Sequence, residues 1–264
     1  MNRRSFIVTS AAVTGGLAIG FDPFGKQVVR AQDGSPEINA WVVIQPNDRV
    51  VIRMARSEMG QGTITGLAQL VAEELECDWN KVTYEYPTPG TSLKRKRVWG
   101  DFSTGGSRGI RTSHDYVRMG GATARVMLIQ AAANQWKVPA SECVAANSVI
   151  THKASGRKTT YGKVAEAAAR LEPPKDVKLK DPKEWKLIGK PVKRLDTVDK
   201  VNGKQVYGFD LKLPGMLNAA IKDCPVFGGK VKSFDAGRVT SMKDRKSTRL
   251  NSSHPQLSRM PSSA

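Results

Sequence analysis

Little in this sequence could bind a metal or staple a fold covalently. Of its 264 residues only three are cysteine and three are histidine. Cys77, Cys143 and Cys224 are far apart, without C-x-x-C spacing. An odd count with no framework points to buried thiols rather than disulfides. His114, His152 and His254 stand alone, which leaves no sequence-local metal cluster, and His114 and His152 read as polar surface residues. Aromatic residues make up 6% of the chain, and no aromatic-interleaved nucleic-acid-binding motif is present. No apolar run reaches the roughly 18 residues of a membrane span. The nearest approach, Val8 to Phe21, is short and interrupted by Gly15, Gly16 and Gly20.

Positive charge is what the chain has in excess. Its 42 basic and 24 acidic residues give +18. Lys94-Arg95-Lys96-Arg97 and the lysine-rich stretch from Lys175 to Lys193 are the two clusters. Without an aromatic-interleaved binding motif they read as a solvated surface or a face for an acidic protein, with no nucleic-acid partner.

The two ends are unlike the middle. Residues 1–31 open with Arg3-Arg4-Ser5-Phe6-Ile7, continue through a Gly/Ala/Thr-containing apolar run and close on Val29-Arg30-Ala31. This pattern reads as a twin-arginine leader, with Gln32 as the mature start and the periplasm as destination. Residues 244–264 read differently. Asp244 to His254 matches, in frame, the translation of a short-read library adapter. Ser258 to Ala264 matches its continuation, with Pro255-Gln256-Leu257 as the barcode between them. The tail is therefore expected to be an artefact of sequencing, with the true frame continuing past Lys243.

The middle is organised around Ser57-Glu58-Met59-Gly60-Gln61-Gly62. Ile38–Ile44 and Arg49–Ala55 read as strands joined at Pro46-Asn47-Asp48. After the glycine corner, Leu67, Leu70, Val71 and Leu75 recur at helical spacing, with Glu73, Glu74 and Glu76 expected on the wet face. Glycines permit a tight turn, and N–H groups at a helix start attract anions. Gln61 adds amide donors and an acceptor. Val82 to Tyr86 reads as a strand and Thr88 to Asp101 as a basic loop. A second glycine turn, Ser103-Thr104-Gly105-Gly106-Ser107-Arg108, then leads into a long helix carrying Val117, Ala124, Met127, Leu128, Ala131 and Trp136. Two such corners could grip the two ends of one anionic ligand. A short hairpin (Val149–His152, Lys158–Thr160) and an Ala-rich helix from Tyr161 to Leu171 complete a mixed α/β unit, residues 35–171. Residues 172–187 read as a charged, Pro-containing linker, and 188–243 as the truncated start of a β-rich domain with strands at Tyr207–Leu211, Met216–Lys222 and Val231–Phe234.

These pieces together resemble the molybdenum-binding large subunit of the xanthine oxidase family. The branch is that of the isoquinoline 1-oxidoreductase β-subunit and the membrane-associated aldehyde dehydrogenase. The resemblance is carried by Ser57 to Gly62 with Ala72-Glu73-Glu74-Leu75, by Thr104 to Arg108, and by Ile188-Gly189-Lys190-Pro191 through Asp196, Lys200, Gly203 and Asp210 to Leu217. It implies an α/β (α+β, mixed-sheet) molybdopterin-binding segment followed by a hammerhead-like domain. It also implies oxidation of aldehydes or N-heteroaromatic compounds with oxygen from water. The cofactor would be a molybdenum–pyranopterin in its cytosine dinucleotide form. Electrons would pass to [2Fe-2S] clusters on a small partner subunit and then to a cytochrome c, with membrane association only through partners. By the same resemblance Gly60, Gln61, Gly62, Gly105, Gly106, Ser107 and Arg108 would contact the cofactor. The general-base glutamate has no counterpart here, so no catalytic residue is assigned, and the chain alone is expected to be inactive. The competing reading is an exported, non-enzymatic module that binds some other anionic ligand.

Overall fold

The computed structural model describes residues 31, 33–216, 224–230, 232–233, 235 and 237. The leader up to residue 30, all but the first residue of the strand expected at Met216–Lys222, both end residues of the one expected at Val231–Phe234, and the tail lie outside the described residues. By its internal contacts the chain divides after Gln205 into two units.

The first unit is mixed α/β, with two small sheets. Strands β1 (Val42–Ile44) and β2 (Val50–Arg53) form the expected hairpin, with Ile44 opposite Val50 and Val42 opposite Ile52. Both are buried along their whole length, which is why Val42–Ile44 and Val50–Ile52 read as unbroken apolar runs rather than alternating ones, although β2 ends on the buried Arg53. Helix α1 (Thr63–Leu75) then crosses over to β3 (Val82–Glu85), which lies parallel to β2 with Arg53 opposite Glu85. The predicted stripe Leu67, Leu70, Val71 and Leu75 is buried.

The stretch expected as a basic loop contains a short helix, α2 (Pro89–Lys94). Thr88 caps it by accepting from the Thr91 N–H, and Pro89 at the first helical position needs no partner for its missing N–H. A single turn, α3 (Arg108–Arg111), precedes the long helix α4 (His114–Trp136). The second sheet is an antiparallel meander of β4 (Cys143–Ala146), β5 (Val149–His152) and β6 (Lys158–Thr160), closed by α5 (Tyr161–Ala168). Strand β4, which carries no sequence pattern of its own, pairs Cys143 with His152. His152 is buried rather than on the surface, held by Glu142 at 2.8 Å and Ser155 at 2.6 Å. Cys77 and Cys143 are buried thiols as expected, while Cys224 is exposed.

Glu73 and Glu74 are likewise not on a wet face: they are 2% and 0% exposed. A buried carboxylate needs partners, and these come from far along the chain. Arg118 of α4 grips Glu74 Oε1 with two nitrogens at 3.0 and 2.7 Å, and the Lys180 N–H approaches the same carboxylate. Glu73 accepts from Lys180 Nζ at 2.7 Å and from the N–H groups of Lys186, Leu187 and Ile188. The stretch read as a linker is thus bound along α1. It leads into one more helical turn, α6 (Thr197–Val201). In the second unit Gly208–Asp210 forms a 3-10 turn where a strand was expected. The Tyr207 N–H donates to Asp210 Oδ2 at 2.9 Å, and this local bond competes with extended pairing.

Helices α1 and α4 touch backbone to backbone at Gly121, where an added Cβ would strike the Val71 carbonyl oxygen. At Gly120 a Cβ would meet the Trp41 ring at 3.1 Å. Gly121→Ala gains helix propensity of up to about 1 kcal/mol but must separate the helices. A net loss of about 1–3 kcal/mol is expected, the usual cost of overpacking, measurable as a lower urea midpoint with an unchanged m-value.

Candidate functional site

The site begins where β2 leaves its sheet. Met54, Ala55 and Arg56 remain buried, and the chain then turns through Ser57–Gly62 into α1. Gly60 (φ 103°) and Gly62 (φ 87°) take left-handed backbone that a side chain would strain. Gly62 occupies the N-cap position and has no side chain with which to cap.

Glu58 supplies the cap instead. Its Oε1 accepts from the N–H groups of Gly60 (2.8 Å) and Gly62 (2.9 Å), and its Oε2 from Ile64 (3.1 Å). The N–H groups expected to be free for an anion are therefore taken by a carboxylate of the same turn, which proximity favours over any ligand from solution. Gln61 closes the turn from the other side. Its Oε1 accepts from the Met59 N–H at 2.6 Å, and its Nε2 donates to the Ser57 carbonyl at 2.9 Å. One amide hydrogen of Gln61 remains beyond these bonds, and the side chain is exposed. Burial works to raise the Glu58 pKa, but the three backbone donors and Arg194 outweigh it and hold the carboxyl below its ordinary value.

The second turn is more open. Gly106 (φ 64°) and Ser107 (φ 57°) are left-handed, and Gly105, Gly106 and Ser107 are exposed. Nothing lies within 4 Å of where a Gly106 Cβ would stand. The Ser107 hydroxyl makes no cap bond to α3. Arg108 turns back on its own loop, donating to the Gly105 carbonyl (3.1 Å), Asp101 Oδ2 (3.0 Å) and Ser103 Oγ (2.9 Å). A ligand at this turn would meet the Ser107 hydroxyl and glycine backbone ahead of a free guanidinium.

The structure brings the two turns together. A Cβ at Gly109 would stand 3.0 Å from Thr63 Oγ1, and one at Gly66 would stand 3.1 Å from Ile110 Cδ1. The joint is Arg56, which is buried. Its guanidinium donates to Ser113 Oγ (3.0 Å), the Ser103 carbonyl, Thr112 Oγ1 (3.1 Å) and Tyr116 Oη (3.3 Å). Arg56, Glu58 and Arg194 have no role in the sequence reading. The available signal was a cation and an anion flanking Ser57, immediately before two glycines.

Arg194 arrives from the segment bound along α1. It donates to the Gly60 carbonyl (2.7 Å) and Glu58 Oε1 (3.2 Å), and forks onto both oxygens of Asp196 (2.9 and 2.8 Å). Lys200 Nζ reaches Asp196 at 2.5 Å, and the Leu195 N–H donates to Thr65 Oγ1 at 3.1 Å. The hydrogen bonds from Arg194, followed by those from Lys200, hold the Asp196 carboxyl far below its ordinary value. Beside them stand Tyr84 and Tyr86, edge to face at 5.8 Å. Burial pushes the Tyr86 phenol up to about 12.

As a donor set, the paired turns fit a ligand with an anionic end and a hydrogen-bonding edge. The second turn offers open backbone and a hydroxyl for the anion, and the first offers the spare amide hydrogen of Gln61. Among the described residues there is no group of three or more His, Cys, Asp or Glu that could hold a metal directly, and no helix long and apolar enough to cross a membrane.

Residues 8–210 match the family model described as the molybdopterin cofactor-binding domain. The chain is 32% identical to isoquinoline 1-oxidoreductase subunit beta of Brevundimonas diminuta, over 90% of this chain and 35% of that protein. It is 31% identical to the membrane-bound aldehyde dehydrogenase [pyrroloquinoline-quinone] of Gluconacetobacter polyoxogenes, over 92% and 32%. It thus spans about a third of the length of these curated relatives. Among solved structures, quinoline 2-oxidoreductase from Pseudomonas putida 86 overlaps 51% of this chain and 17% of its own, at 18% identity and a TM-score of 0.38.

Glu58 and Asp196 share one sign of pH dependence. Each has a folded pKa below its unfolded one, so its contribution is complete above the ordinary carboxylate range, about pH 4, and is lost as pH falls through the folded value. Glu58→Ala is expected to cost about 0.5–2 kcal/mol at pH 7, as for other lost helix caps. Urea midpoints at pH 7 and pH 3 should show this gap to the wild type narrowing in acid.

Proposed function

We propose, from the premise that this chain belongs to the molybdopterin cofactor-binding domain family, in the molybdenum-binding subunit type of the xanthine oxidase family, that it is the N-terminal part of a molybdenum hydroxylase large subunit. The observation that carries this reading is the convergence of two glycine turns, Gly60-Gln61-Gly62 and Gly105-Gly106-Ser107, within one segment that the family model matches. The substrates are aldehydes or N-heteroaromatic compounds. When bound, the molybdenum–pyranopterin supplies the two-electron redox step and the oxygen transfer from water.

The work of this chain is to hold and orient that group. Ser107 and the backbone of Gly105 and Gly106 take its anionic end, the cytosine dinucleotide phosphates, and Gln61 takes a pterin edge. Gly60 and Gly62 let that edge approach the backbone, and Arg108 contributes its charge at longer range. The partners this reading calls for are a small subunit carrying [2Fe-2S] clusters, which would receive the electrons, and a cytochrome c beyond it. The twin-arginine leader carries the protein, folded around its cofactor, to the periplasm. Without the downstream general base this piece turns over no substrate.

Two measurements test the reading. A long read of the genomic locus should show the frame running past Lys243 in place of residues 244–264, and a stop at Ala264 in the genome would overturn it. In protein purified from the complete gene, molybdenum should be near stoichiometric. Ser107→Ala should lower that content several-fold, since a hydrogen bond to a charged group contributes about 1.5–3 kcal/mol, and Gln61→Ala should lower it less, about 0.5–1.5 kcal/mol for a neutral hydrogen bond. Ser107 is exposed and makes no cap bond, so the melting temperature of Ser107→Ala should hardly move, whereas Gln61→Ala also loses its two bonds within the turn and should lower it by a few degrees. Full metal content in both variants would refute the assignment of these residues.

A further inference from the structure

The first glycine turn does not fix itself. Its own chain supplies Glu58 and Gln61, but the carbonyl of Gly60 points outward and is met by a residue 134 positions later. That residue, Arg194, also touches the Glu58 oxygen that caps Gly60 and Gly62, so one guanidinium reaches both the carbonyl side and the N–H side of the turn. Its plane is set from behind by the fork onto Asp196, which is 1% exposed and tied a second time by Lys200. Next to it the Leu195 N–H is fastened to Thr65 in the first turn of α1. A planar group with several fixed donors is required here, because one ammonium cannot reach Asp196, Glu58 and the Gly60 carbonyl together.

We infer that Arg194 is a positioning residue for the Gly60-Gln61-Gly62 turn, aimed by Asp196, so that the turn takes its ligand-ready form only while the segment around Arg194 is docked. The geometry of the turn carries the first half of this statement. The second half rests on the reading of the turn as part of the cofactor site.

The test is amide hydrogen exchange on the full protein, purified from hosts with and without molybdenum-cofactor synthesis, alongside its metal content. In the cofactor-free protein, Arg194→Ala should speed exchange at Gly60, Gly62 and Ile64 by about tenfold or more, leaving the interior of α1 at Val71 and Leu75 as in the wild type. Arg194→Lys should fail to restore protection, and Asp196→Asn should give a smaller change in the same direction. Unchanged exchange at the three amides in Arg194→Ala would overturn the inference. So would loss of protection spreading along α1, which would mark a general structural role. With cofactor synthesis present, Arg194→Ala should also lower molybdenum content several-fold. Faster exchange with undiminished molybdenum would leave Arg194 as the residue that positions the turn but overturn the turn's place in the cofactor site.

Discussion

Two carboxylates buried side by side on one helix govern the architecture. Glu73 and Glu74 are almost wholly removed from water, and an ionised carboxylate survives there only with donors close on every side. Arg118 satisfies part of this need and so fixes α4 against α1. The remaining donors are Lys180 and three consecutive backbone N–H groups from Lys186 to Ile188. Segment 180–188 is therefore laid along α1 by these donors, with Leu187 and Ile188 packed against the core beside them. Once it lies there, only a few residues separate it from Arg194 at the opposite end of the same helix. The C-terminal half of α1 recruits the segment, and its N-terminal end is shaped by it.

Patterns set by neighbours in sequence were legible, and those set by distant partners were not. The stripe from Leu67 to Leu75 and the turn at Pro46-Asn47-Asp48 depend on spacing alone, and both stand as read. Glu73 and Glu74 look solvent-facing because nothing nearby could neutralise them; their donors lie more than a hundred residues away, or in α4. His152 was misjudged for the same reason, since Glu142 meets it only when β4 pairs with β5. Helix α2 was hidden differently: a proline reads as a break, yet after a capping threonine it opens a helix. Of the candidate site, both glycine turns were visible, but not the arginine that joins them.

Glu58 changes the character of the first turn. A helix start with free N–H groups is a general anion receptor, whereas here the receptor is already filled from within. The turn is therefore complete as a hydrogen-bonded unit before any ligand comes, and what it can present outward is selective: glycine faces and a single amide edge. The neighbouring turn, with an uncapped serine and open backbone, is the less committed of the two. A ligand that is anionic at one end and planar with hydrogen-bonding edges at the other matches this division.

Cys77 lies two residues beyond the end of α1, whose last carbonyl, that of Leu75, accepts from the Tyr161 hydroxyl. Burial pushes its thiol up to about 12, and it is the thiolate that reacts. This sulfur is kept slow to react by being buried rather than by being paired. With only a small part of its surface exposed, Cys77 meets oxidants and alkylating reagents more freely when the end of α1 opens, so its rate of modification reports on the opening of the helix that carries Glu73 and Glu74.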